Sequence, residues 1–157
     1  MSITYMLDFS QMFIRLALAL LLGALIGIER EVVGKKEAGI RTTMLVSGGA
    51  AIFSMIGLTL PYIIAPNPES VAGVITGSSG FLSVIANIVV GIGFLGGGII
   101  IKNQEHVHGV TTAALIWVSA AIGILAGIGL FSFAIASAVI LAGLLYLLRD
   151  VKVRKVG

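Results

Sequence analysis

Five apolar runs, each bounded by charged or turn residues and each long enough to cross a bilayer, constrain this chain more than any other feature. A helix needs about 20 largely apolar residues to cross a hydrocarbon core of roughly 30 Å. The runs at about 11–28, 44–65, 82–101, 111–129 and 130–148 meet that requirement. Lipid offers the backbone no hydrogen-bond partner, so such runs must satisfy their own amides as helices. The expected fold is an all-α membrane protein, a single transmembrane domain over 1–157 built as a bundle of about five helices.

Composition agrees: only 11% of residues are charged and 58% are hydrophobic, with mean hydropathy +1.13, which excludes a water-soluble globule. With no cysteine, disulfide scaffolds, thiolate metal sites and cysteine nucleophiles are excluded as well. Ser10 is placed to cap the first span, and no Lys or Arg precedes it, which argues against a signal peptide. Pro61 bends or ends the second span, and Pro66-Asn67-Pro68-Glu69 forms the turn after it. From Val71 the next apolar stretch is too long for one crossing and is interrupted by Gly77-Ser78-Ser79-Gly80, so a short or re-entrant segment is expected before the third span. Gly127-Ile128-Gly129 must turn the chain tightly, making the last two spans an antiparallel hairpin.

Basic residues then report orientation, because short cytoplasmic loops are rich in Lys and Arg. Arg30, Lys35, Lys36 and Arg41 fall in the first loop, Lys102 in the third, and Arg149, Lys152, Arg154 and Lys155 in the tail. The segments on the other side carry none, so the expected topology is multi-pass, N-terminus outside and C-terminus cytoplasmic. This partition accounts for the net charge of +3 without a nucleic-acid partner. Arg15 stands apart, inside the first span, where snorkelling or pairing with Asp8 is expected.

Glycine supplies 21 residues, many at small-xxx-small spacing: Gly23 and Gly27, Gly73 and Gly77, Gly93 and Gly97, Gly123 and Gly127. In lipid such spacing lets helix backbones approach closely, either within one chain or across a homodimer. The run of Gly91, Gly93, Gly96, Gly97 and Gly98 exceeds the needs of packing, and a functional break in the helix is expected there. It is not a nucleotide loop, because it lies inside an apolar span rather than after a strand.

Polar candidates are few. Asn87 shares a face with Gly91, Leu95 and Gly98, and Thr112, Ser119 and Gly123 form a stripe at helical spacing. Either could line a polar crevice; alternatively the hydroxyls bond back to their own helices and Asn87 joins two helices. The densest chemistry lies at the basic ends, with Glu29 and Arg30 closing the first span, Arg41 and Thr42 opening the second, and Thr111 and Thr112 opening the fourth. This cluster could hold a hydrated divalent cation through Glu29, bind an anionic headgroup through Arg30 and Arg41, or form a salt-bridged collar. All seven acidic residues fall in loops or at span ends, which argues against a dehydrated cation path. No Ser-His-Asp, carboxylate-pair or metal arrangement points to an enzyme.

Three segments, Leu21–Glu31 with Ala38–Phe53, Gly91–Ile101 and Val107–Gly129, resemble the membrane domain of the MgtC/SapB family of bacterial inner-membrane proteins. The resemblance covers most of residues 13–148. It implies a five-span inner-membrane protein linked to magnesium-limited growth, whose activity is either ion transport, with Mg2+ as ligand or cargo and no other cofactor, or regulation of another membrane protein such as the ATP synthase. The family's charged motifs map to Glu29, Arg30, Arg41 and Thr42, its glycine motif to Gly91, Gly93, Gly96 and Gly98, and its Thr-Thr-Ala motif to Thr111, Thr112 and Ala113. Many members carry an Arg and a Gln where this chain has Ser83 and Asn87, which weakens any charge-based role for that helix. Many also carry a soluble C-terminal domain; this sequence ends nine residues after Leu148, so a function residing there is not expected of it.

Overall fold

The computed structural model describes residues 7–32, 38–77, 80–103 and 106–148. Its five membrane-length helices are α1 (Phe9–Val32), α2 (Ile40–Ile64), α4 (Gly80–Ile99), α5 (Val110–Ile128) and α6 (Phe131–Leu148). A 3-10 turn at Pro68–Ser70 and a seven-residue helix α3 (Val71–Gly77) precede α4, the short extra segment expected there. Between α4 and α5 runs an antiparallel ribbon, β1 (Ile101–Asn103) with β2 (His106–His108), which the apolar pattern does not announce.

Helix α2 is the hub. Its buried face is small and weakly polar: Thr43, Ser47, Gly48, Ala50, Ala51 and Ser54. Two glycine pairs of the flanking helices press onto that face. A Cβ at Gly123 of α5 would collide with the Ser47 carbonyl oxygen, and one at Gly127 would lie 2.7 Å from the Ala51 carbonyl oxygen. On α1, a Cβ at Gly23 would stand 2.6 Å from the Thr43 carbonyl oxygen, and one at Gly27 would meet the Thr43 hydroxyl. Backbone therefore packs on backbone on both sides of α2, which is how helices gain dispersion contact where lipid removes the hydrophobic drive. The Ser47 hydroxyl adds a buried hydrogen bond to the Ala19 carbonyl, 2.8 Å, tying α2 to α1. Helix α6 closes over this core through Ala134 and Ala138, both fully buried. By contrast α4 is peripheral, and only Gly96, against Ala113, is buried along it.

Ends and turns follow local chemistry. The Asp8 carbonyl accepts the Met12 amide at 3.0 Å, and the Ser10 hydroxyl donates to Asp8 Oδ2 at 2.5 Å, so Asp8 rather than Ser10 organises the start of α1. That bond holds the Asp8 carboxyl below its ordinary pKa. Pro61 does not stop α2 at once; the helix runs on to Ile64, and the Pro61 carbonyl accepts the Ala65 amide. At the α5–α6 junction Gly129 is left-handed (φ +91), with its amide on the Ala126 carbonyl and the Leu130 amide on the Leu125 carbonyl, a Schellman stop.

Three expectations are corrected. The glycine run does not break its helix: α4 is continuous through Gly91, Gly93, Gly96, Gly97 and Gly98, because no water competes for its backbone bonds. Arg15 does not pair with Asp8. Its Nη1 donates to the Gly127 carbonyl at 2.7 Å, placing a cation at the negative end of α5. Asn87 joins no two helices, since it lies exposed on α4.

The glycine pairs thus divide into those that touch a neighbour and those that do not, because nothing lies within 4 Å of a Cβ built at Gly73, Gly77, Gly93 or Gly97. Replacing Gly123 or Gly127 by Ala is expected to cost about 1–3 kcal/mol of stability through overpacking. Gly93→Ala and Gly97→Ala are expected to stay within about 0.5 kcal/mol of wild type. Unfolding titrations of the purified protein in mixed micelles check both.

Candidate functional site at the basic end of the bundle

Where α1 ends and α5 begins, a cavity of about 210 Å³ opens, lined by Arg30, Val107, His108, Gly109, Val110, Thr111 and Thr112. Arg30 occupies the last turn of α1 and is only 7% exposed. Thr112 is buried, at 3% exposed, while Thr111 is exposed. Gly109 sets the geometry: it is left-handed (φ +84) at the N-cap of α5, and a Cβ there would strike the Ile99 carbonyl at the end of α4. Only glycine lets the ribbon turn into α5 so close to α4.

No side chain among the described residues caps α5, whose first intrahelical bond runs from the Ala113 amide to the Gly109 carbonyl at 2.8 Å. The amides of Val110, Thr111 and Thr112 therefore lie at an uncapped helix start on the cavity wall. A guanidinium and the positive end of a helix dipole share this space, which suits negative charge better than a bare cation. Among the described residues no three His, Asp or Glu side chains gather as metal ligands.

Of the residues singled out from sequence, Arg30, Thr111 and Thr112 are brought together here. Glu29 belongs to the last turns of α1, and its side chain lies outside the described residues. Arg41 stands exposed on the first turn of α2, with Thr42 beside it, and neither lines the cavity. Ser119 is fully buried two turns deeper on α5, its hydroxyl donating to the Leu115 carbonyl at 2.8 Å, so it lines no crevice. Asn87 and the exposed glycines Gly91, Gly93, Gly97 and Gly98 lie on α4 and do not line the cavity. Sequence reading missed Gly109, although glycine directly before a Val-Thr-Thr helix start was the available signal.

A family model for the MgtC family matches residues 16–154, nearly the whole bundle. The chain belongs to the MgtC family. Among curated relatives, Protein MgtC of Salmonella typhimurium is 40% identical over 86 residues, which is 55% of this chain and 30% of that protein. Protein MgtC of Brucella abortus is 42% identical over 84 residues, covering 54% and 29%. Protein SrpB of Synechococcus elongatus is 34% identical over 92 residues, covering 59% and 45%. The matched stretches thus span under half the length of these relatives. No solved structure matches the chain. Membership of the MgtC family together with five apolar helices makes this a multi-pass membrane protein.

Gly109→Ala is expected to destabilise the bundle by about 1–3 kcal/mol, the cost of a strained left-handed residue. Because Ile99 and α5 would be pushed apart, the same change is expected to raise amide exchange at the start of α5 while leaving the α5–α6 turn unchanged. Hydrogen exchange read by mass spectrometry in micelles checks this.

Proposed function

We propose that this chain is a magnesium-linked regulator of the bacterial inner membrane, acting by docking on another membrane protein rather than by moving an ion or catalysing a reaction. One observation carries the reading: the hydroxyls inside the bundle are buried, and each is held by a backbone carbonyl. Ser54 donates to Ala50, Thr59 to Met55 and Ser119 to Leu115, each at 2.8 Å, and Ser47 donates to Ala19. A cation crossing the bundle needs oxygen ligands it can reach in place of its waters, and these side chains are closed off, Ser47, Ser54 and Ser119 fully buried and Thr59 6% exposed. The magnesium link is the one implied by the family resemblance.

The docking surface in this reading is the outer face of α4. Gly93 and Gly97 are exposed there, and one turn of 100° per residue puts them opposite Gly91, on the side away from α2. Small residues at that spacing suit a neighbouring helix, whether of a second copy or of a complex such as the ATP synthase. The nine basic residues on one side support an orientation with the C-terminus in the cytoplasm.

Proteoliposomes loaded with a magnesium-sensitive dye are expected to show no uptake above protein-free vesicles. Saturable uptake lowered by Glu29→Gln or Arg30→Gln would overturn the reading. Gly97→Leu, at a position where a Cβ would meet none of the described residues within 4 Å, is expected to fold normally yet fail to restore growth of a deletion strain in low magnesium.

A further inference from the structure

On the flank opposite the exposed Gly93 face, α2 and α4 diverge and leave a groove of about 370 Å³. Leu45, Gly49 and Phe53 of α2 face Ile88, Gly91 and Leu95 of α4 across it, and no polar side chain lines it. The volume falls within the range of about 300–1,000 Å³ typical of small-molecule clefts. Its floor is open because of glycine: a Cβ at Gly49 or at Gly91 would meet nothing within 4 Å.

The groove has a charged mouth. Leu45, Gly49 and Phe53 recur every fourth residue, and one turn earlier on the same face stands Arg41, exposed at the start of α2. On the other side α4 ends at Ile99. Length fits as well. From Arg41 to Phe53 the helix rises about 18 Å at 1.5 Å per residue. Half of a hydrocarbon core of roughly 30 Å is about 15 Å. The groove is therefore about one leaflet deep, with Arg41 at headgroup level.

We propose that this groove holds an acyl chain of an anionic glycerophospholipid whose phosphate sits at Arg41. Basic pockets between membrane helices recognise anionic headgroups in this way. The assignment goes beyond the regulatory reading and does not depend on it, because it concerns a lipid on a different face of α4.

The test is native mass spectrometry of the purified full chain, exchanged in detergent against an equimolar mixture of palmitoyl-oleoyl phosphatidylglycerol and phosphatidylcholine. Wild type is expected to retain phosphatidylglycerol over phosphatidylcholine by about fivefold, the effect of one cation near an anionic surface. Arg41→Gln is expected to bring that ratio close to one, and Arg41→Lys to keep it. Gly49→Leu and Gly91→Leu fill the groove and are expected to lose both lipids while melting as wild type does. A wild-type ratio of one, full retention in Gly49→Leu, or a dimer abolished by Gly91→Leu would overturn the assignment, the last by placing a second copy in the groove.

Discussion

The bundle depends on backbone meeting backbone at α2. Gly123 of α5 rests on the Ser47 carbonyl, and Gly23 and Gly27 of α1 rest on Thr43 from the other side. Neither contact has room for a methyl group, so both helices are fixed in rotation and height by α2. Apolar side chains cannot do this in lipid, where they are as well solvated outside the protein as inside it. The remaining architecture follows from that triad, with α6 laid over α1 and α5 and α4 attached at the edge.

Fixing α5 fixes both of its ends. At one end Arg15 reaches the Gly127 carbonyl and Gly129 turns the chain into α6. At the other, the uncapped start of α5 comes to rest beside the buried Arg30. The cavity is thus a consequence of helix placement, and the left-handed Gly109 is what lets the ribbon deliver the chain there. The same packing explains one hydroxyl, since Ser47 reaches the Ala19 carbonyl only where α2 meets α1, while the buried Ser54 and Ser119 bond back to carbonyls one turn earlier in their own helices.

The five spans were legible because bilayer thickness dictates their length; α5 and α6 agree with the apolar runs to within about a residue. The short helix before α4 was legible from the excess length of that run. What could not be read was direction. Gly93-Gly97 and Gly123-Gly127 have the same spacing, yet only the second touches a neighbour, and a residue without a side chain carries no record of what lies opposite it. The expected break at Gly91–Gly98 failed because an unwound backbone in lipid would leave its polar groups without partners, which outweighs glycine's entropic cost in a helix. The partner of Arg15 lies 112 residues away, beyond any local pattern. The meeting of Arg30 with Thr111 and Thr112 likewise required the fold, although the residue types had marked that end of the chain as its most chemical.

The central claim is that the α1–α2–α5 core is dry and closed. The chain contains no cysteine, so single cysteines can be introduced without background. Ser47→Cys, Ser54→Cys and Ser119→Cys, in native membrane vesicles permeable to a small charged thiol reagent, are predicted to remain unlabelled under conditions that label Arg41→Cys and Thr111→Cys. Labelling at Ser47 or Ser119, in protein shown to be folded, would reveal an aqueous path through the bundle and contradict the account.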